Sequence, residues 1–138
     1  MTTFLSPLLK RPLEDGLCLR ISRTGQVVAT TLELAGDSHT RRKGLLGRVS
    51  LASGHAMIIA PSSGIHTVGM RFPLDVLFVS RAGLIVKVRR DLRPFRISVA
   101  LRAFAAIELA AGATSHIDFR LGDVVEISAI DAPSLVLT

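Results

Sequence analysis

Apolar positions in this chain fall in short runs rich in Val, Ile, Leu and Phe, broken by Gly, Pro, Ser or Asp about every ten residues, the punctuation of a β-rich fold. The runs predict strands over Leu17–Ser22, Val27–Ala35, Ala56–Ala60, His66–Arg71, Asp75–Ser80, Leu84–Arg90, Phe104–Leu109 and Val124–Ile130. Arg23-Thr24-Gly25-Gln26 between the first two marks a hairpin, and Arg81-Ala82-Gly83 marks a second tight turn. Within Val27–Ala35, Thr30, Leu32 and Leu34 alternate with Thr31, Glu33 and Ala35, as in a strand with one covered face. So many short strands predict a sandwich or barrel.

Two short helices interrupt this pattern. Asp37 or Ser38 can accept an orphan amide at the start of a helix over Thr40–Leu46, and Gly47 can end it in the left-handed conformation. Arg41-Arg42-Lys43 would then lie on its exposed side, with Leu45 and Leu46 toward the core. A second helical turn is expected around Ala113–Asp118, before a Gly122-Asp123 turn.

At 138 residues the chain has room for one hydrophobic core, and 49% hydrophobic against 20% charged residues excludes disorder. The expected organisation is a loosely ordered segment over residues 1–16, then a single β-rich domain over residues 17–138. A lone cysteine, Cys18, between Leu17 and Leu19, reads as a core thiol and fits a reducing compartment. The N-terminal apolar run precedes its basic pair Lys10-Arg11, the reverse of a secretory signal. The charge-free stretch Val49–Met70 holds too many Ser, Gly, Pro and His residues to span lipid. These features give a cytoplasmic expectation with no transmembrane segment.

Charge changes the picture by position. The net charge of +6 divides into a neutral residues 1–37, +10 over residues 38–102 and −4 over residues 103–138. Its densest part runs from Arg81 to Arg102, where Ile85, Lys87 and Arg89 alternate with Leu84, Val86, Val88 and Arg90. Lys87, Arg89, Arg90, Arg93 and Arg96 are therefore anion-binding candidates, for phosphate, nucleic acid or an anionic partner. The alternative is a solvated strand face whose arginines pair with the acidic C-terminal segment. With neither Trp nor Tyr and only six Phe, the stacking platform of single-strand binders is missing, and no helix-turn-helix, zinc-finger or RNA-recognition signature is present.

The chemistry-bearing segment is Gly64–Val79. Asp75, within Phe-Pro-Leu-Asp-Val-Leu-Phe-Val, needs a partner, since an ionised carboxylate in apolar surroundings costs several kcal/mol. Thr67, His66 and Arg71 are the nearby candidates if a Phe72-Pro73-Leu74 turn folds two strands together. A converging His, Asp and Arg could hold an anion, ligate a metal or transfer protons. Otherwise Asp75 bonds backbone amides and pins a turn. Glu108 is a second acid in an apolar strand and a possible third member with His66 and Asp75. His39, His55, His66 and His116 show no metal-ligand spacing, and no phosphate loop or nucleophile elbow occurs, so neither metal nor cofactor is expected.

The same residues carry a resemblance. Arg42-Lys43-Gly44-Leu45-Leu46-Gly47-Arg48, Ala56-Met57-Ile58-Ile59, His66-Thr67 with Met70–Phe78, Glu108–Gly112 and Gly122–Val125 resemble the successive motifs of the DUF192 (UPF0127) family of bacteria and archaea, over Thr30–Ile127. The resemblance implies a compact β-sandwich, jelly-roll-like, with short helices. That family is uncharacterised, so it carries over no catalytic residues. Many relatives have an aromatic-Met-Lys-Asn-Thr run where this chain has Ile65–Arg71, which limits any role of His66 to a subgroup. The functional expectation is a domain binding a small ligand or protein partner through His66, Thr67, Met70, Arg71, Asp75 and Glu108, beside the basic strand-loop. The alternatives are a hydrolase or lyase using His66, Asp75 and Glu108, and polyanion binding through Arg81–Arg102.

Overall fold

The structure, a computed structural model, describes residues 2–10, 16–37, 40–41 and 44–130. Its elements are α1 (Ser6–Lys10), β1 (Leu17–Ile21), β2 (Val27–Ala29), β3 (Thr31–Ala35), β4 (His55–Ile59), β5 (Gly64–His66), β6 (Leu74–Val79), β7 (Ile85–Leu92), β8 (Ile97–Val99), β9 (Ala105–Ala110), a 3₁₀ turn over Ala113–His116, and β10 (Val125–Ala129). The fold is mainly β. A five-stranded sheet runs β3-β4-β9-β6-β7, with β3 and β4 parallel and the other neighbours antiparallel. A three-stranded sheet runs β10-β1-β2, and β5 pairs with β8 in a two-stranded ribbon.

Strand alternation gives the central sheet two apolar faces. Leu32, Ile58, Ile107, Leu77 and Val79 project to one side and pack with Leu19, Ile21, Val125 and Ile127 of the three-stranded sheet. Phe4, Leu5 and Leu8 close this larger core, so residues 2–10 dock on the domain rather than trail from it. Met57, Ile59, Val76, Phe78 and Ala106 project to the other side, beneath Leu45, Leu51, Ile65, Met70 and Ala100. That second layer is built of loops and the β5–β8 ribbon, and it holds the polar residues discussed below.

Several expectations are corrected. Val27–Ala35 is two strands in different sheets, because the chain turns at Thr30 and both Thr30 and Thr31 donate their amides to Gly54 O. Only His66 of His66–Arg71 is in a strand; the chain leaves β5 through a turn in which Gly69 takes φ +84°. β8 departs from the expected pattern, since its one inward residue, Ser98, is small and polar while Ile97 and Val99 face out. Asp37 Oδ1 accepts the Thr40 amide at 2.8 Å, as a cap should, while Ser38, Arg42 and Lys43 lie outside the described residues. Gly25 and Gly83 serve the two expected tight turns with positive φ. At Gly83 the requirement is double, since a Cβ there would collide with the Val125 carbonyl oxygen of β10.

Candidate functional site

Asp75 and Glu108 lie on opposite faces of the central sheet. In the β6–β9 register Asp75 pairs with Leu109, which faces the larger core, whereas Glu108 pairs with Val76, which faces the smaller one. Cross-strand partners share a face, so the two carboxyls point apart through the sheet. His66, Asp75 and Glu108 therefore do not converge, and neither a shared metal nor a shared proton-transfer site forms from them. Among the described residues, no group of three His, Cys, Asp or Glu side chains gathers as a metal site.

Asp75 bonds backbone amides, as in the alternative reading of the sequence, but those of Asp91 and Thr114, together with the Thr114 hydroxyl. β7 carries an extra residue opposite Leu74–Val76, and Asp91 within this bulge takes φ +52°. The displaced Asp91 amide donates to Asp75 Oδ1 at 2.9 Å. Thr114 of the 3₁₀ turn donates to Oδ2 through its amide at 3.0 Å and its hydroxyl at 2.6 Å. Burial pushes the Asp75 carboxyl up, but the Thr114 hydroxyl and the amides of Asp91, Thr114 and Gly112 outweigh it and hold the group below its ordinary value. Asp75 thus ties the bulge to the 3₁₀ turn.

Thr67 also works inside the fold. It is fully buried; its hydroxyl donates to Arg93 O at 2.6 Å and accepts the Arg96 amide at 2.8 Å, fixing the 93–97 loop. Arg71 is exposed, and the partners of Asp75 are Asp91 and Thr114 instead.

The basic strand is interrupted where β7 slips against Phe78 and Val79. Lys87 and Arg89 pair with Phe78 and Val76 on the smaller-core side, while Ile85 packs in the larger core, so Ile85 does not share the basic face. Lys87 Nζ donates to Val99 O at 2.7 Å, Arg89 to Ser98 Oγ at 3.3 Å and Arg90 to Thr114 Oγ1 at 3.2 Å. Arg93 approaches Asp91 at 3.8 Å with both side chains largely in solvent, and Arg96 is exposed. The acidic C-terminal segment turns elsewhere: Asp123 accepts a bidentate pair from Arg23, with Asp118 at 3.8 Å from the same guanidinium.

Glu108 is the residue without a structural explanation. It is 5% exposed, and among the described residues none donates a hydrogen bond to its carboxyl. Burial raises its pKa to about 7, with the nearby Arg48 charge pulling the other way. Arg48 is already engaged in a bidentate pair with Glu33, both bonds at 2.8 Å. Glu33, Met57, Glu108, Val76 and Arg89 form one row across the five strands on the smaller-core face. Above Glu108 opens a cavity of about 500 Å³, bounded by Leu45, Leu46, Ile59, Ile65 and Met70, with Arg41, Ser62 and His66 at its polar edge. No fully enclosed side-chain nitrogen or oxygen of the described residues lacks a partner, so the free Glu108 oxygens open onto this cavity.

His66 and Met70 thus join Glu108, while Thr67, Arg71 and Asp75 do not. Arg41, Arg48, Ser62 and Glu33 were missed as site residues. Alternation marked Glu33, and the Arg42–Arg48 motif contained Arg48, but only the register brings them beside Glu108.

The chain is thus a mainly β domain with an unbonded buried carboxyl, Glu108, beneath an open cavity. The chain belongs to the DUF192 family, described as an uncharacterised ACR, whose model matches residues 19–127. No curated protein matches it. Among solved structures, a Sinorhizobium meliloti protein described as a proposed transcription regulator is similar at 26% identity and TM-score 0.70, over 80% of this chain and 90% of that one. A Novosphingobium aromaticivorans protein of unknown function shares the fold at 23% identity and TM-score 0.69, over 80% and 83% of the two chains. No helix of the described residues is long and apolar enough to cross a membrane.

Proposed function

We propose that this protein binds a small, partly apolar molecule in the cavity above Glu108, through a hydrogen-bond-donating headgroup of the amine type. The carrying observation is Glu108 itself: a buried carboxyl with free oxygens is costly unless a partner supplies donors. An ammonium group offers three donors and the opposite charge. The apolar lining accommodates a hydrocarbon body, and the cavity lies within the range of about 300–1,000 Å³ usual for ligand sites. His66, and the guanidinium nitrogens of Arg41 other than the Nη1 that donates to Gly36 O, can meet an anionic substituent of such a ligand.

The hydrolase or lyase reading draws no support, because Asp75 is engaged with backbone amides on the other face of the sheet. Polyanion binding, which the Sinorhizobium description brings to mind, would rest on the exposed Arg93, Arg96 and Arg102, since Lys87, Arg89 and Arg90 bond the protein's own oxygens.

Thermal shift with straight-chain primary alkylamines, against the matching alcohols and carboxylic acids, tests the proposal. Amines should raise the melting temperature of the wild type, more at pH 8 than at pH 6, because the carboxylate form binds them. Glu108→Gln should remove the effect. Equal shifts with alcohols or acids, or amine shifts retained in Glu108→Gln, would overturn it.

A further inference from the structure

Independent of the cavity, the segment between Asp91 and Glu108 has an unusual surface. It contains no acidic residue, and Arg93, Arg96 and Arg102 are all exposed. Between them stand Phe95 at 69% exposure, Ile97 at 71%, Val99 at 48% and Leu101 at 87%. Val68, next to the Thr67 that holds this loop, is 50% exposed. Apolar side chains this exposed normally occur singly; here they are consecutive along one strand and its flanks.

The display is built rather than loose. Ser98 turns inward, so its strand neighbours Ile97 and Val99 turn out, and Leu101 stands in solvent in the turn that follows the buried Ala100. Lys87 holds Val99 O, Thr67 holds Arg93 O and the Arg96 amide, and the Ala100 amide donates to Ser63 O at 2.8 Å. Phe95 sits at φ +62°, a conformation unfavourable for an aromatic residue, while its amide donates to Thr67 O at 3.0 Å. The backbone is thus committed to holding an aromatic ring in water.

We infer that this strip is a docking surface for an anionic lipid bilayer, with Phe95, Ile97 and Leu101 entering the headgroup–acyl boundary and Arg93, Arg96 and Arg102 meeting lipid phosphates. Charge decides among the possible occupants. A second copy would bring two sets of three arginines together with Asp91 the one exposed acid adjoining each set, an excess of positive charge that opposes self-association. A folded partner needs matching pockets for side chains that stand proud, whereas a fluid interface takes them without a shaped complement. Amphipathic surfaces of this composition bind membranes by combined apolar burial and attraction to anionic lipid.

Sedimentation with vesicles of phosphatidylcholine alone, and with about one-quarter phosphatidylglycerol, tests the inference. The wild type should pellet with the anionic vesicles and remain in solution with the neutral ones. Phe95→Ser with Leu101→Ser should weaken binding roughly tenfold or more, and Arg96→Gln with Arg102→Gln should weaken it by roughly fivefold per charge. Raising salt from about 0.1 M to about 1 M shortens the screening length from about 10 Å to about 3 Å and should release most of the protein. These residues are at the surface, so unchanged melting temperatures will separate lost binding from lost folding. Failure of the wild type to pellet with anionic vesicles would overturn the inference. So would pelleting unaffected by the Phe95/Leu101 change, or a dimer in solution that this change dissociates.

Discussion

Replacing Asp75 by alanine should be among the most damaging single changes in this protein. The carboxylate accepts the Asp91 amide, the Thr114 amide and the Thr114 hydroxyl, and it is 1% exposed. Alanine leaves two amides facing apolar surroundings, and each buried donor left unpaired costs about 1–3 kcal/mol. The hydroxyl can rotate and still accepts from Arg90, and the desolvation of the carboxylate is relieved. The net loss is about 3–4 kcal/mol. At about 2.1 cal/mol/K per residue, the entropy of unfolding for this chain is about 0.3 kcal/mol/K, so the melting temperature should fall by about 10–14 °C. Arg89→Ala and Arg93→Ala are the controls. One loses a 3.3 Å hydrogen bond and the other an exposed 3.8 Å ion pair, so each should cost under about 1 kcal/mol. Because the folded Asp75 pKa is depressed, its contribution is complete above the unfolded value and disappears as pH falls through the folded one. Calorimetry at pH 7 and along an acid series measures both. An alanine variant melting within about 3 °C of the wild type at pH 7 would refute the pinning role assigned to Asp75.

Glu108 should behave in the opposite sense. Its folded pKa of about 7 lies above the unfolded value, so its cost to stability is absent below about pH 4.5, grows between there and pH 7, and is complete above. Glu108→Gln should therefore match the wild type near pH 5 and exceed it by about 2–3 kcal/mol at pH 8, as denaturant melts at the two pH values will show. Gly83→Ala should destabilise by more than about 2 kcal/mol, because it combines positive φ with a collision against the Val125 carbonyl. Gly122→Ala, at similar φ with open space around its Cβ position, should cost about half as much by the same melts.

Much of the strand framework was legible because buried strands in this chain are made of Val, Ile, Leu and Phe between Gly-containing turns. What escaped was set by contacts distant in sequence. β8 inverts the usual pattern, with small residues inward and large apolar ones outward, so alternation alone reads it as loop. The two register slips in β7 change which residues share a face, and a slip cannot be located from one strand's own sequence. Hence Lys87 and Arg89 share a face, as alternation predicts, whereas Ile85 faces the other way. The expected convergence of Thr67, His66, Arg71 and Asp75 required a strand at His66–Arg71; the Gly69 turn and the engagement of Thr67 with Arg93 and Arg96 take those residues elsewhere.

The two buried acids show why a single sequence signal supports two opposite roles. Asp75 and Glu108 each interrupt an apolar strand, and they occupy adjacent rungs of the same pair of strands. On one face, a bulge with a left-handed residue frees an amide and a 3₁₀ turn presents a threonine, so the shorter carboxylate is fully bonded and ionised. On the other face, the nearby Arg48 is spent on Glu33, no described residue donates to the carboxyl, and the longer side chain opens into a cavity with its pKa driven toward neutrality. The proposed ligand site differs from the structural pin by one residue of strand parity. That parity is fixed by the β6–β9 register and by what the second layer places above each face. The bonded acid is a source of stability, and the unbonded one on the opposite face is where the proposed ligand would supply the missing donors.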